Sequence, residues 1–477
     1  MNRTTIFSNL IWRFLERCGA QLVTFVVSIV LARLLDPNVY GIIALVTIFT
    51  SILQVFVDSG LGNALIQKKD ADDLDFSTVF YFNILVCVIL YLIMFIAAPF
   101  IATFYKMPEL ISVIRVLSLV LVISGVKNVQ QAYVSKNMLF KRFFFSTLGG
   151  TIGAAIIGIW IAYKGYGVWA LVAQNIFNLS IDTIILWITV KWRPKLVFSF
   201  KRLKTLYSFG WKLLGTSLIN NVYNNIRQLV IGKMYSSSDL AYYNRGKQFP
   251  QLIDANVNTS IDSVLLPALS KEQDDKKRIK VMTRRAIKTS TYILFPLLTG
   301  LAVCAKPFVE LILTEKWLES VPFLQIFCIA YMFEPIQTAN LNAIKAIGRS
   351  DIFFIQNLIK RSMGIILLII TMQISVKAIA LSFLVSGVIG LIVDTYPNQK
   401  MLQYNLVEQL KDIFPHILLS TCMGIPVYLL GNLPFTPIIV LIIQVIIGIS
   451  LYLCMSILFK IEMFSYLVDT VKSVIKK

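Results

Sequence analysis

Residues 9–35 read NLIWRFLERCGAQLVTFVVSIVLARLL. The segment is long and apolar enough to enter a bilayer, yet it carries Arg13, Glu16 and Arg17. At helical spacing, Asn9, Arg13, Arg17 (or Glu16), Gln21, Thr24 and Ser28 fall on one continuous polar stripe. A guanidinium facing lipid costs roughly 2.5–3.5 kcal/mol on insertion scales. The stripe therefore predicts a helix with one face turned to protein or to a water-filled cavity.

The rest of the chain supports a membrane setting. Of its 477 residues 57% are hydrophobic and 15% charged, against about 25% charged in soluble domains. Its apolar runs are too long and continuous for β-barrel strands. The expected fold class is an all-α integral membrane protein of about 14 transmembrane helices, each of about twenty residues. The expected spans are 9–33, 41–63, 77–103, 110–133, 143–163, 167–190, 205–231, 239–265, 287–305, 318–344, 351–371, 376–397, 412–431 and 436–459. With the N-terminus inside, the inner segments carry about four times as many lysines and arginines as the outer loops, which predicts cytoplasmic N- and C-termini. Topology thus accounts for the net charge of +20 without a nucleic-acid partner. No cleavable signal peptide is expected, because Arg13 and Arg17 interrupt the first apolar segment.

A weak internal repeat pairs Trp12-Arg13 with Trp211-Lys212. It also pairs Val30 to Arg33 with Val230 to Lys233, and Asp36 and Tyr40 with Asp239 and Tyr243. Six spans separate the copies, so both run in the same direction. The expected organisation is an N-terminal six-helix lobe (1–200), a C-terminal six-helix lobe (201–400), two additional transmembrane helices (401–459) and a cytoplasmic amphipathic tail (460–477).

Charges inside spans are the informative ones. Lys212, Thr216, Asn220, Tyr223, Asn224 and Arg227 form a second stripe, and Lys247, Gln251, Asp254, Asn258 and Asp262 a third, with Pro250 beside it as an expected kink. The candidate cationic cavity comprises Arg13, Arg17, Lys212, Arg227, Arg245, Lys247, Lys360 and Arg361, with Asn9, Gln21, Asn220, Asn224, Gln251 and Asn258 as its polar lining. Each group has a plainer reading. Arg13 pairs with Glu16 within its helix; Arg115 and Lys127 snorkel to headgroups; Asp394 pairs with Lys400. Lys360 and Arg361 point about 100° apart, so at least one faces inward. Glu334 and Asp254 are either structural partners for cations or sites of coupling to a proton or sodium gradient.

Gly150, Ala154 and Gly158 form a small-residue ladder for close helix contact. The acidic run Asp70, Asp72, Asp73 and Asp75 reads as a solvated face, or alternatively as a docking patch. The six cysteines lie in apolar stretches and read as small buried hydrophobes. His416 is the only histidine, so a multi-histidine metal site is excluded, and no metal is expected. There is no P-loop and no loop large enough for a catalytic domain; the chain is not expected to be an enzyme.

The stretches LARLLDPNVYG (31–41), DSGLGNALIQK (58–68) and STVF (77–80) resemble polysaccharide repeat-unit flippases of the O-antigen, colanic acid and teichuronic acid type. These belong to the multidrug/oligosaccharidyl-lipid/polysaccharide exporter superfamily. The resemblance implies two six-helix lobes plus two trailing helices and alternating access. It implies export of undecaprenyl-diphosphate-linked oligosaccharide across the bacterial inner membrane, for lipopolysaccharide, capsule or exopolysaccharide. By the same resemblance Arg13, Arg17, Lys212 and Arg227 would meet the pyrophosphate. Membrane lipids, a polysaccharide polymerase and a chain-length regulator are the implied partners, with no cofactor beyond an ion gradient. Two rivals stand beside it. An exporter of organic cations from the same superfamily would want a net acidic cavity. A non-transporting scaffold of a polysaccharide assembly complex would use the acidic loop.

Overall fold

The computed structural model describes the backbone of residues 3–58 and 61–475; the side chains at 3–11, 13–14, 17, 209–210, 212–213, 471 and 474–475 lie outside the described residues. Every regular element among the described residues is helical. Ten helices are long and apolar enough to cross a membrane. Their outward faces are as apolar as their cores: within Asp73–Tyr105, Leu92, Ile93, Ile96 and Phe100 are 50–73% exposed. Water would not tolerate such faces, and lipid does. The chain is a multi-pass membrane protein. It divides into two compact units, Met1–Ala241 and Tyr242–Lys477.

The first unit begins with α1 (Arg3–Leu34), α2 (Pro37–Val57) and the short α3 (Leu61–Gln67). It continues with α4 (Asp73–Tyr105), α5 (Leu110–Leu117), α6 (Leu119–Lys136), α7 (Phe140–Tyr163), α8 (Val168–Thr189) and α9 (Phe200–Met234). Asp36 precedes Pro37 in the extended conformation that proline imposes, so the break between α1 and α2 is written in the sequence. Gly41 follows in α2; a Cβ there would collide with the backbone of Ser237. The small-residue ladder does what its spacing predicts. At Gly150 a Cβ would stand 2.7 Å from the Asn178 carbonyl oxygen, and at Gly158 one would stand 3.1 Å from the Gln174 Cβ, so α7 and α8 pack backbone to backbone.

The acidic run is exposed at Asp70, Asp72 and Asp73, as a solvated face would be, but Asp75 turns inward. Asp72 caps α4 in a reciprocal box with Asp75, and Asp75 is fully buried. Lys68 Nζ lies 2.5 Å and Arg202 3.3 Å from the Asp75 carboxylate. Asp73 takes Lys195 at 2.6 Å and the Trp192 indole N–H at 3.2 Å. Three of the four acids thus tie the start of α4 to the segment leading into α9, above a core of Leu61, Phe76, Phe80 and Trp192. Asp70 alone stays exposed without such a tie.

The second unit takes most of α10 (Ser237–Ser270), then α11 (Lys276–Val303), α12 (Ala305–Leu313) and a 3-10 turn (Glu315–Ser320). α13 (Val321–Tyr331), α14 (Glu334–Ala346), α15 (Ser350–Thr371) and α16 (Val376–Leu402) follow. α17 (Leu406–Leu430), α18 (Pro437–Leu458) and α19 (Glu462–Ile475) end it. The break between α13 and α14 falls just before Pro335, whose missing N–H and bulky ring stop a continuous helix. Pro250, by contrast, lies inside an unbroken α10.

α17 is pinned to this unit by polar groups that lipid could not satisfy. Arg284 donates to Asp412 at 2.6 Å and Tyr404 donates to its other oxygen at 2.9 Å. Asn340 Nδ2 donates to Gln409 at 2.9 Å, and Asn398 Nδ2 to Asn340 Oδ1 at 2.8 Å. α18 joins through the Tyr452 hydroxyl, which donates to the Tyr292 carbonyl at 2.8 Å. Of the cysteines, Cys87, Cys304 and Cys328 are buried, as a small hydrophobe should be, whereas Cys422 and Cys454 lie on exposed helix faces.

The described part of α19 packs through Met463, which is buried, and is tied to α11 by Lys288 Nζ, which donates to Glu462 at 2.8 Å. That hydrogen bond, with Arg285 and Arg284 nearby, holds the Glu462 carboxyl below its ordinary value of 4.5. A carboxyl lowered by folding stabilises its contact above the ordinary value and loses it as pH falls through the lowered one. A spin label at exposed Thr470 should therefore gain mobility only as the pH drops below 4.5. In Glu462→Gln the same label should be mobile at pH 7. An acid-insensitive label in the wild type would show that other contacts hold α19.

The helices at the remaining expected spans are α1, α9, α10 and the α13–α14 pair; none is among the ten, and in α1 the described residues include the apolar stretch Cys18–Leu34. α1, α9 and α10 carry the three polar stripes, and α14 carries Glu334, Gln337, Asn340 and Asn342.

Candidate functional site

The first unit holds an open cavity of about 610 Å³ between α1, α2, α5, α6, α7 and α8. Its wall is hydrophilic. Thr24 comes from α1; Thr47, Thr50, Ser51, Gln54 and Asp58 come from α2 and its C-cap. Ser124, Lys127, Asn128 and Gln131 come from α6, Thr147 and Thr151 from α7, and Asn175, Asn178 and Asp182 from α8. Only Ala20, Leu117, Val120 and Leu179 are apolar. Helical spacing explains the assembly. Thr47, Ser51, Gln54 and Asp58 recur at three or four residues on α2, as do Ser124, Lys127, Asn128 and Gln131 on α6.

One ion pair crosses this wall. Lys127 Nζ meets the Asp182 carboxylate, the two side chains being only 14% and 9% exposed. Asp58 accepts from Asn128 Nδ2 at 2.9 Å and from Gln54 Nε2 at 3.4 Å. Lys127 therefore does not snorkel as its place near a span end suggests. Arg115 does lie near the surface, stacked 4.3 Å over Phe95. Asp182, Asp58 and the hydroxyl-bearing residues of α2 and α6 are the cavity groups that the sequence did not single out as a site. Their signal was present as a lysine and an aspartate in different apolar spans, but nothing local joins them.

The expected site residues are distributed otherwise. Asn9, Arg13, Arg17 and Lys212 have side chains outside the described residues. Gln21 and Asn224 are exposed, Asn220 is half-buried and Arg227 is buried, all in the first unit. In the second unit Arg245 is buried, donates to Gln248 at 2.7 Å and lies 5.1 Å from the Trp317 ring. Lys247 lies 5.5 Å from the Phe383 ring, Gln251 is exposed and Arg361 half-buried. Asn258 donates to the buried Asp254 at 2.5 Å. Glu16, read as a partner for Arg13, accepts from Thr147 Oγ1 at 3.2 Å.

Asp394 corrects one expectation. It pairs with Lys360 at 2.7 Å and is fully buried, while Lys400 sits 5.0 Å from the Tyr396 ring. Of the adjacent cations, Lys360 is thus an inward one. Glu334 lies in the field of Lys360 and Lys247, and in turn acts on Asp254 and Asp394. In the second unit two lysines and three carboxylates thus lie within electrostatic reach of one another, with Lys360 and Asp394 in direct contact. Among the described residues that line the cavity of the first unit, Lys127 stands with Asp58 and Asp182. Among the described residues no group of three or more histidines, cysteines or acids is placed to hold a metal ion.

Residues 30–322, more than half of the chain, match the sequence profile of the polysaccharide biosynthesis protein family. The chain belongs to that family. It is 26% identical over 383 residues to teichuronic acid biosynthesis protein TuaB of Bacillus subtilis, covering 79% of this chain and 78% of that one. It is 25% identical over 376 residues to lipopolysaccharide biosynthesis protein WzxC of Escherichia coli, covering 77% and 75%. Among solved structures, its fold is similar to lipid II flippase MurJ in an inward closed conformation, with a TM-score of 0.74 at 18% identity, over 95% of this chain and 99% of that one. It is also similar to an inward-facing multidrug resistance MATE family transporter, with a TM-score of 0.62 at 14% identity, over 80% and 96%.

Proposed function

We propose that this family member is a flippase. It moves undecaprenyl-diphosphate-linked oligosaccharide repeat units across the bacterial cytoplasmic membrane by alternating access, and does no covalent chemistry. In this reading α1, α9, α10 and the α13–α14 pair also span, giving fourteen crossings with cytoplasmic termini, and a polymerase and a chain-length regulator receive the product. The observation that carries it is an open cavity of about 610 Å³, lined by many hydrogen-bonding side chains, among the helices of a polysaccharide biosynthesis protein. Saccharide hydroxyls cannot enter hydrocarbon bare, and a hydrogen-bonding wall removes that cost. The inside-negative potential adds about 2.3 kcal/mol per exported negative charge per 100 mV. Glu334 and Asp254 are the coupling candidates, releasing and retaking Lys360 and Lys247 as the substrate's phosphates compete for them.

The test is deletion of the gene followed by analysis of lipid-linked oligosaccharides and surface polysaccharide. Intact repeat units should accumulate on the inner leaflet and surface glycan should be lost. Complementation with Glu334→Gln or Asp254→Asn should slow export and alter its dependence on ion gradients; unchanged export would remove their coupling role. One observation favours a second reading. Two carboxylates against one lysine suit an organic-cation exporter better than a cationic channel for phosphates. Normal surface glycan with altered drug tolerance would establish that reading instead.

A further inference from the structure

Resting on the flippase reading, we infer that the cavity of the first unit is a subsite for uncharged sugar residues of the substrate, separate from any site for its diphosphate. The wall selects this class by elimination. A diphosphate needs free cations, and among the described residues the one cation lining the cavity, Lys127, is engaged by Asp182. A polyprenyl tail needs a continuous apolar wall, and hydroxyl, amide and charged side chains interrupt this one on every helix that lines it except α5. An organic cation is held by aromatic faces or free carboxylates. Among the described residues no aromatic ring lines this cavity, and Asp182 is engaged by Lys127, which leaves Asp58 as the one lining carboxylate outside an ion pair.

What is left is a polyol. Hydroxyls and carboxamides both donate and accept, as sugar hydroxyls do. Gln131 and Thr47 point such groups at the cavity, and their side chains have no hydrogen-bond partner among the described residues. The cavity volume lies in the roughly 300–1,000 Å³ range of small-ligand sites, large enough for a short saccharide.

The experiment uses the full chain in nanodiscs and three probes. They are the lipid-linked oligosaccharide from a strain lacking this gene, the same oligosaccharide freed of lipid and diphosphate by mild acid, and undecaprenyl diphosphate alone. Gln131→Leu and Thr47→Val should each weaken binding of the first two about tenfold, the equivalent of one lost hydrogen bond. Binding of the third should stay unchanged. Unchanged saccharide binding in both folded variants overturns the subsite, as does equal loss for all three probes. If Gln131→Leu fails to fold by thermal melting, the nearly isosteric Thr47→Val decides. Wild-type protein that ignores the lipid-linked oligosaccharide overturns the flippase reading and the subsite together. Wild-type binding with indifferent variants overturns the subsite alone.

Discussion

Asp182→Ala is expected to destabilise the first unit by about 3–5 kcal/mol, the range for leaving one partner of a buried ion pair uncompensated. Its side chain is 9% exposed and faces Lys127, itself 14% exposed, so the abandoned ammonium can be hydrated only from the cavity side. Asp58 lies near enough to act on Lys127 but already accepts two hydrogen bonds, so it replaces only part of the loss. Lys127→Met combined with Asp182→Leu should recover most of the stability, because replacing both charges removes two desolvation penalties along with one attraction. Denaturation of the purified protein in detergent measures both. A loss under about 0.5 kcal/mol for Asp182→Ala, the level of an ordinary surface change, would mean that Lys127 reaches water.

Gly150→Leu is the second large effect. Its first side-chain carbon would meet the Asn178 carbonyl oxygen at 2.7 Å and the Asp182 Cβ at 3.2 Å, and the first of these is backbone that cannot rotate away. α7 and α8 must then separate. Overpacking costs about 1–3 kcal/mol, and separation also draws Asp182 away from Lys127, so transport should fall further than stability. Gly215→Ala is the control: nothing lies within 4 Å of that position, and the substitution should gain stability through helix propensity, about 0.5–1 kcal/mol. Equal melting temperatures for Gly150→Leu and the wild type would show that the α7–α8 contact is loose. Complementation of the gene deletion reads the transport arm.

The ladder on α7 was legible in the sequence because small residues at helical spacing have one main use in a membrane. The break before α2 was legible for a similar reason, since Asp36-Pro37 fixes its own backbone. Other readings failed where the deciding partner was distant. Lys127 looked like a snorkelling residue near a span end, and Asp394 looked like a partner for nearby Lys400. Both found partners on other helices, Lys127 across the first unit and Asp394 at Lys360. Asp75 looked solvated with the rest of the acidic run because Arg202, one of its cations, lies more than a hundred residues away.

The sequence by itself therefore determined that this protein is a bundle of membrane helices, where most of them begin and end, and which family it resembles. Those properties follow from local composition: continuous apolar runs need lipid, proline and glycine punctuate them, and short motifs persist. Only the tertiary structure decided which charges neutralise each other and where a cavity remains. Helical periodicity fixes the face on which a side chain lies but not the neighbour that face will meet. Ion pairing falls steeply with distance, so the meaning of Lys127, Asp182, Lys360 and Asp394 was set by packing. The stripe of residues 9–35 shows both limits. Its polar face was visible in the sequence, and packing decided that Glu16 on that face accepts from Thr147.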